Sequence, residues 1–498
     1  MSTAALASPP TASGAGHRVN PWLVLVIACL AQFMVVLDIT VVNIALPSVQ
    51  RGLHFSAANL QWIVNGYTLV FGGFLLLGGR AADLLGRKRL FVAGVIVFTL
   101  ASMLNGLAQS SGMLIIGRGL QGFGGALVSP AALSIVTTTF SDGEQRTRAL
   151  AVWSAIAAGG SAVGLLLGGA LTDLASWRWV FFVNLPVGIV TLAMALRFVA
   201  ESRVESARRS FDLAGAATVT TGLVVLVYTI VKAQTFGWGS ARTLGLGAVA
   251  LALLAAFVAI EHRSQAPLMR LSIFRVRTLA VADTVLLLLA SGMFGMFFFA
   301  SLYIQQILGY SPLKAGLAFL PVTAVIMIGA GAAQGGLIRR LGVRNVGAIG
   351  IAVASAGLLV LTQLPVHGSY AGNLLVGLLP LGLGLGLAFV PVTLLGTSGV
   401  READNGLASG LFNTAQQVGG SLGLAILSTL AASQTTSVLH GTGTGAVFAA
   451  RVSGYHVAFL AAAIMLASGA ALLAVGLRRS HMREVERAIE AGVQPMPA

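Results

Sequence analysis

Charged residues are scarce in this sequence. Asp, Glu, Lys and Arg make up only 9% of its 498 residues, whereas 56% are hydrophobic and 62 are glycine. A soluble domain of this length does not normally have such a composition. The scarcity of charge therefore excludes a soluble enzyme and indicates a chain that crosses a membrane many times.

Other absences narrow the function further. The chain has one cysteine, Cys29, so no disulfide can form within it. It has no GxxxxGK(S/T) loop, which argues against an ATP-driven pump, and its seven histidines are not clustered like metal ligands. We therefore expect neither a metal nor a bound cofactor. Residues 1–20 lack the charged segment and cleavage site of a signal peptide, and we predict a flexible cytoplasmic tail there.

Fourteen apolar runs are long enough to cross about 30 Å of hydrocarbon as helices. They lie near residues 22–46, 59–79, 89–109, 112–138, 147–171, 178–199, 212–231, 243–261, 278–306, 312–336, 344–364, 370–397, 405–432 and 456–477. The chain is thus predicted to be an all-α polytopic membrane protein with 14 transmembrane helices.

The net charge of +15 reflects an uneven distribution of basic residues between the loops. With both termini cytoplasmic, 23 of the 30 Lys and Arg residues fall in cytoplasmic segments, six fall outside, and Arg118 lies within a span. This asymmetry is the positive-inside rule, which sets orientation in the membrane. The lipid bilayer, and not nucleic acid, is therefore the partner that the charge predicts.

Internal repeats divide the chain. Gly79 and Gly336 occupy matching loops 257 residues apart, and Pro130 and Pro391 occupy matching helices 261 residues apart. The first six runs are too short to account for this shift, and runs seven and eight fill the difference. We expect this inserted pair to pack outside two six-helix bundles and to supply no coupling acid. The predicted segments are a tail, a first bundle, the inserted pair with its cytoplasmic linkers, a second bundle and a second tail, at residues 1–20, 21–199, 200–277, 278–477 and 478–498.

One acid, Asp38, interrupts the first run, in the stretch MVVLDITVVNIALP at residues 34–47. An ionised side chain at the centre of a bilayer costs at least about 2.5 kcal/mol, so we expect Asp38 to be functional. Counted from the outer ends of their spans, Asp38 and Arg118 differ in depth by only about 3 Å, so the two can meet. Burial favours a protonated Asp38 and the guanidinium favours an ionised one, so a change in their separation would bind or release a proton. The alternative is a static ion pair that only joins spans one and four.

The stretch GGRAADLLGRKRL, residues 78–90, resembles the loop signature of the major facilitator superfamily. The matching residues are Gly79, Asp83, Gly86, Arg87 and Lys88. The resemblance implies the major facilitator fold and a gate at the cytoplasmic side, where Asp83 caps and pairs with a neighbouring helix end in one conformation. The alternative is a solvated basic loop. The second copy, residues 335–346, has no matching acid, so we expect this latch in the first half only.

Two further stretches resemble helix signatures of proton-driven antiporters. In IIGRGLQGFGGALVSPAAL, residues 115–133, one helix face carries Arg118, Gln121, Gly122, Gly125 and Ser129. In GGSAVGLLLGG, residues 159–169, close helix packing is predicted at Gly160, Gly164 and Gly168. The proline that usually follows the middle glycine is replaced by Leu165, so this stretch does not by itself imply antiport.

Three more stretches resemble the 14-helix branch of drug:proton antiporters. They are LDITVVNIALP at 37–47, QWIVNGYTLVFGG at 61–73 and WRWVFFVNLPVG at 177–188. The resemblance covers nearly the whole chain and implies export of lipophilic, often cationic compounds in exchange for protons. The proton gradient is then the energy source. In such an exporter we expect Asp38 to carry the proton and Arg118 to tune its affinity.

Amide and hydroxyl side chains are predicted to line a substrate cavity. They are Gln61, Asn65, Gln121, Ser129, Asn413, Gln416 and Gln417. Each could instead join two helices, as polar groups in hydrocarbon often do. Asp283, about six residues into span nine, stays open as a second proton site.

The resulting hypothesis is a monomeric exporter in the bacterial inner membrane, with both termini cytoplasmic, that exchanges small lipophilic substrates for protons by alternating access. Two other functions stay open. Proton-linked uptake of a defined nutrient would favour a polar, stereospecific site. A lipid-handling or scaffold protein would keep the fold without ion coupling.

Overall fold

Fourteen long apolar helices make up most of the described chain. The structure, a computed structural model, describes residues 20–140, 143–202, 212–264, 267–397, 400, 404–442 and 446–477. The helices α1 to α14 are Pro21–Gly52, Ala57–Leu85, Arg87–Gly106, Ser111–Thr139, Gly143–Leu174, Trp179–Phe198, Leu213–Phe236, Ala241–Arg263, Arg277–Ile307, Pro312–Leu341, Val343–Leu361, Tyr370–Thr397, Gly406–His440 and Val447–Gly476. The described residues contain no strand, and the prediction of an all-α protein with 14 spans is confirmed.

Parts of the predicted tails and linkers cannot be compared with the structure. Residues 1–19 and 478–498 of the tails lie outside the described residues, as do residues 203–211 of the first linker and residues 265–266 of the second. Among the spans, α13 and α14 differ most from the predicted limits, since α13 continues to His440 and α14 begins at Val447. Hydropathy marks where a chain leaves the hydrocarbon, whereas a helix continues as long as its backbone hydrogen bonds do.

Helix α1 passes through a proline at which its apolar run was predicted to end. The run stops before Pro47, but α1 continues to Gly52. Since Pro47 has no N–H, the carbonyl of Asn43 one turn earlier lacks its helical partner. Ser301 Oγ of α9 donates to that carbonyl at 2.9 Å. A neighbouring helix thus satisfies the group that proline leaves free, which is how membrane helices tolerate proline.

The same scheme of helix contacts occurs twice. In the first six helices, α1 packs on α4, α5 and α6, while α4 packs on α2 and α3, and α3 packs on α6. In the last six, α9 packs on α12, α13 and α14, while α12 packs on α10 and α11, and α11 packs on α14. The predicted fold of two six-helix bundles is therefore confirmed. Repeats in the same order also occur in the halves of some secondary transporters.

The two bundles meet chiefly where α2 packs on α13, α5 on α10, and α1 on α9. We call the end where α2 ends and α3 begins the basic end, which contains Arg80, Arg87, Lys88 and Arg89. At the opposite end, Gln305 Nε2 of α9 donates to the carbonyl of Ile44 in α1 at 2.9 Å. Together with the bond from Ser301, this contact ties the bundles at the opposite end.

The inserted helices α7 and α8 pack on each other, and α7 also packs on α2 and α13. Gln234 Nε2 of α7 donates to the carbonyl of Thr429 in α13 at 2.6 Å, and Thr220 of α7 lies against Gly73 of α2. Helix α8 lies farther out, since only 17% of the residues in its most apolar 18-residue segment are buried. The pair therefore covers one side of the contact between α2 and α13.

Candidate functional site

A buried acid in α1 is the centre of a polar network in the first bundle. Asp38 has no exposed surface, and both of its carboxylate oxygens accept hydrogen bonds. Arg118 Nη1 donates to Oδ2 at 2.5 Å, and Gln121 Nε2 and Asn184 Nδ2 donate to Oδ1 at 2.7 and 3.0 Å. Three donors from α4 and α6 around one buried carboxylate stabilise its ionised form.

Helix α4 presents Arg118 to both α1 and α2. Arg118 Nε donates to the carbonyl of Ile63 at 2.9 Å, and the guanidinium lies 4.4 Å from the centroid of the Tyr67 ring. Gln121, one turn later on the same face, accepts from Arg118 Nη1 at 2.8 Å. The guanidinium is thus oriented by α2 and by its own helix. The structure brings together the acid and the arginine that helix depth predicted to meet.

A second group of polar side chains surrounds this ion pair, and sequence reasoning missed it. Asn105 Nδ2 of α3 donates to Gln121 Oε1 at 2.7 Å. Ser102 Oγ accepts from Gln121 and Asn184 at 3.2 and 3.0 Å and donates to the carbonyl of Phe181 at 2.8 Å. These polar side chains are fully buried. Their positions in the sequence could have revealed them, because each is a polar residue within an apolar span, where a polar side chain needs a hydrogen-bond partner.

The network can bind a proton only by rearranging. Each Asp38 oxygen already accepts from at least one donor, so protonation weakens or breaks one of these bonds. A neutral Asp38 also loses its Coulombic attraction for Arg118. Proton occupancy is therefore coupled to the relative positions of α1, α4 and α6, which hold the acid and its donors.

The predicted cavity residues fall into two groups. Buried are Gln61, Asn65, Gln121 and Gln417, and partly exposed are Ser129, Asn413 and Gln416. Asn65 Nδ2 donates to Gln61 Oε1 at 3.4 Å, so these two amides partner each other within α2, and Gln121 belongs to the Asp38 network. Ser129 Oγ donates to Gln32 Oε1 of α1 at 3.3 Å. A bound molecule could reach the three partly exposed side chains without breaking the hydrogen bonds of the buried ones.

The residues of the predicted cytoplasmic gate lie where α2 ends and α3 begins. Asp83 Oδ1 accepts from Arg87 Nη2 and Nε at 3.0 and 3.3 Å. About half of the Asp83 side chain is exposed, whereas Arg87 is largely buried. Gly79, one turn before Asp83, faces Pro130 of α4. In this conformation Asp83 pairs with the first residue of the following helix.

A different acid caps the first turn of α3. Glu201, beyond the end of α6, accepts from the backbone N–H groups of Lys88 and Arg89, each at 3.2 Å. Gly86 has a φ of +111°, and a methyl group there would lie 2.5 Å from Glu201 Oε1. The backbone conformation and the approach of Glu201 both require glycine at this position. No sequence pattern predicts this contact, because it joins residues more than 110 positions apart.

Three glycines of α5 form its contact with α1. A methyl group placed on Gly160, Gly164 or Gly168 would come within 3.2 Å of α1, and at Gly164 it would overlap the hydroxyl of Thr40. Helix α5 runs without interruption past Leu165. The glycines thus allow α1 and α5 to approach closely, which fixes the helix that carries Asp38.

Asp283 of α9 is a second buried acid, but its surroundings differ. It is only 7% exposed, and neither carboxyl oxygen has a hydrogen-bond partner among the described residues. On the same face of α9, Leu287 and Ser291 lie against Gly419 and Gly423 of α13. Asp283 is therefore a lone carboxyl on the side of α9 that packs against α13.

The sequence is similar to a known protein family and to proteins named for antibiotic resistance and export. The family model described as Major Facilitator Superfamily matches residues 28–424. The chain is 38% identical over 496 residues to the puromycin resistance protein of Streptomyces alboniger, covering 98% of each chain. It is 39% identical over 453 residues to the cephamycin export protein of Amycolatopsis lactamdurans, covering 91% of each chain.

Among solved structures, a bacterial homologue of the human lysosomal transporter Spinster, in an inward-facing and unoccupied conformation, has a similar fold. The TM-score is 0.66 at 16% sequence identity, and the alignment covers 94% of this chain and 99% of that one. At this identity the similarity concerns the fold alone.

Proposed function

This chain belongs to the Major Facilitator Superfamily, and on that premise we propose that it is a proton-coupled antiporter of the bacterial inner membrane. It exports small lipophilic, cationic or amphiphilic drugs or metabolites by alternating access. The names of two relatives support export, since one denotes puromycin resistance and the other cephamycin export. These relatives have nearly equal identity to the chain and are named for different antibiotics. We therefore propose a class of compounds and not a single substrate.

The Asp38 network is the observation that carries the proton coupling. A buried carboxylate stays ionised only while its donors remain in place. When α1 moves relative to α4 and α6, the donors separate from Asp38, and binding of a proton from the outer side becomes favourable. When the donors return, Asp38 releases its proton to the cytoplasm. Substrate leaves the cell in the opposite half of the cycle.

The repeated helix scheme supports alternating access, because each bundle contributes helices to the contact that must open and close. In this proposal the basic end is cytoplasmic, as the positive-inside rule requires for both termini. The bonds between α1 and α9 then close the outer side. All groups of the Asp38 network come from one chain, which supports a monomer as the transporting unit.

Transport by the reconstituted protein tests the proposal. Wild type, Asp38→Asn and the control Asp283→Asn are placed in proteoliposomes, a pH difference is imposed, and uptake of a lipophilic cationic dye is measured. We expect wild type and the control to concentrate the dye against proton flow. Asp38→Asn should fold and bind the dye but fail to concentrate it.

Three outcomes would contradict the proposal in distinguishable ways. Concentration of dye by Asp38→Asn at the wild-type rate would show that Asp38 does not carry the proton. Movement of substrate in the same direction as protons would indicate uptake. Absence of any transport by correctly folded wild type, with every substrate class tried, would favour a scaffold or lipid-handling role.

A further inference from the structure

The inserted helix pair contains no acid between Leu213 and Ile260, yet an acid stands at each end of this interval. Asp212 immediately precedes α7, and Glu261 lies in the last turn of α8, so both are at the basic end. Asp212 is 6% exposed and Glu261 is 4% exposed. Two buried carboxyl groups at the base of a helix pair that is otherwise free of acids need compensating partners.

Each of these acids uses one oxygen locally and leaves the other without a partner. Asp212 Oδ1 accepts from the N–H of Gly215 at 2.7 Å and so caps α7. Glu261 Oε2 accepts from the N–H of Met269 at 3.1 Å. Asp212 Oδ2 and Glu261 Oε1 are buried and have no hydrogen-bond partner among the described residues.

The position of Gly215 shows how close the two carboxyl groups are. A methyl group on Gly215 would lie 2.9 Å from both Asp212 Oδ1 and Glu261 Oε1. The two oxygens are therefore separated by no more than the sum of these distances. Two carboxyl groups this close and away from water do not both ionise readily, because like charges repel strongly there.

Arg80 of α2 supplies one positive charge to this cluster. Its Nη1 donates to the carbonyl of Pro267 at 2.9 Å, and its Nε is buried without a partner among the described residues. Among the described residues, Asp212 and Arg80 are the charged groups that act on Glu261, whereas the two basic residues that follow it on α8 are exposed. Within the described part of the chain, one cation and two ionised carboxylates would leave one negative charge in excess.

We propose that Asp212 and Glu261 share one bound proton, which resides on Glu261 Oε1 and leaves Asp212 ionised. The cluster is then neutral with Arg80, and the proton links the beginning of α7 to the end of α8. This proton site is separate from the Asp38 network, because Arg80 is about 25 Å along α2 from Ile63, the residue that binds Arg118. It does not depend on what the protein transports.

The site has a consequence for the contact between the bundles. Helix α7 packs on both α2 and α13, which belong to different bundles. Loss of the shared proton places two like charges at the base of α7 and α8 and weakens their attachment to α2. The pH at the basic end thereby sets how firmly the inserted pair holds α2 and α13 together.

Infrared spectroscopy of the full chain in lipid nanodiscs tests the proposal, because a protonated carboxyl has a carbonyl stretch distinct from that of a carboxylate. At neutral pH, Glu261→Gln and Asp212→Asn should each lose the signal of one carboxylic acid. In Asp212→Asn the loss follows because Glu261 can ionise beside Arg80. Glu144→Gln, an exposed acid paired with Arg148, is the matched control and should keep the signal.

Thermal unfolding provides a second measurement. The folded wild type holds a proton that the unfolded chain has released at neutral pH, so its Tm should fall as pH rises. Glu261→Gln is permanently neutral and should lose this component of the slope. The proposal is wrong if both amide variants keep the wild-type carboxylic acid signal. It is also wrong if Glu261→Gln has a lower Tm at every pH with an unchanged slope, as expected for an ionised Glu261 held by Arg80. Should Glu261→Gln not fold, Asp212→Asn decides, because its Oδ1 still caps α7.

Discussion

The two six-helix bundles share one scheme of helix contacts but have different centres. A shift of 257 to 261 residues places the counterpart of Asp38 within residues 295–299, GMFFF, and that of Arg118 within residues 375–379, LVGLL. The second bundle therefore builds the same scheme with apolar side chains. A buried ion pair is thus not needed to assemble this fold. Wherever such a pair is buried, removing its charges from water costs free energy. We therefore propose that the first bundle keeps the pair for a reason other than packing, and this comparison is the strongest argument for a function of Asp38 and Arg118.

The acids of the two bundles differ in the same way. Asp38 accepts from three side chains, whereas Asp283 has no partner among the described residues. An isolated ionised carboxylate is far more costly to bury than one held by donors. We therefore expect changes at Asp38 and its donors to have larger effects than a change at Asp283.

Arg118→Ala should have the largest effect. It leaves Asp38 as an unpaired buried carboxylate, and breaking a buried ion pair from one side costs about 3–5 kcal/mol. Tm and expression should both fall. Adding Asp38→Asn removes the stranded charge and should recover most of the lost stability, but not proton-driven transport. A double variant as unstable as Arg118→Ala alone would show that packing, and not charge, makes Arg118 necessary.

Asn184→Ala should have an intermediate effect that appears in both stability and pH dependence. It removes one donor from Asp38 and one from Ser102, and a hydrogen bond to a charged group contributes about 1.5–3 kcal/mol. Because Asp38 carries the proton in the proposed cycle and loses one of its donors, the pH profile of transport should shift. Asn184→Asp would add a second acid and is a useful contrast. A lower Tm with an unchanged pH profile would assign Asn184 to packing alone.

Gly164→Ala should destabilise by about 1–3 kcal/mol, because the added methyl group overlaps Thr40 and forces α1 and α5 apart. Gly159→Ala is the matched control on the same helix, since a methyl group there has nothing within 4 Å. Gly423→Ala, against Ser291, makes the equivalent change in the second bundle and should cost a similar amount. Only the change at Gly164 should also slow transport, since α1 carries Asp38, the proposed proton carrier. Equal loss of transport from Gly423→Ala would remove this distinction between the bundles.

Asp283→Asn should have the smallest effect. A neutral carboxyl and an amide have almost the same shape, and no hydrogen bond to a charged partner is lost, so the change in stability should be below about 1 kcal/mol. Chemical denaturation, or Tm in a fixed detergent, measures this directly. A destabilisation as large as that of Arg118→Ala would mean that Asp283 is ionised and paired in the native protein.

Helix number and depth were predictable from the sequence, and helix rotation was not. The prediction that Asp38 and Arg118 meet needed only the length of each span and the rise per residue. The roles of Gln121 and Asn184 depend on which way α4 and α6 are turned about their axes. Packing between helices sets that rotation, and apolar spans have too weak a polar pattern to reveal it. Gln121 was for this reason expected in the cavity, although it shares a face with Arg118 and binds the same acid.

Contacts between distant segments were equally hidden. Glu201 caps α3 from the end of α6, and Asp212 meets Glu261 only because α7 and α8 fold back on each other. Hydropathy records how far each helix runs but not which loop residues come together. An acid at a span boundary therefore looks like a solvated loop residue in the sequence, even where it is buried in the structure.

Pro47 has a consequence for how water enters between the bundles at the end opposite the basic end. The carbonyl of Asn43 has no partner within its own helix and is satisfied by Ser301 of the other bundle. When the bundles separate at that end, this carbonyl must find water or stay unpaired in hydrocarbon at a cost of several kcal/mol. Separation of the bundles and entry of water therefore occur together, because a dry gap leaves the carbonyl unpaired and a hydrated gap supplies it with a hydrogen-bond donor. In the proposed cycle the gate at this end opens by wetting, and a single proline in α1 makes it sensitive to water.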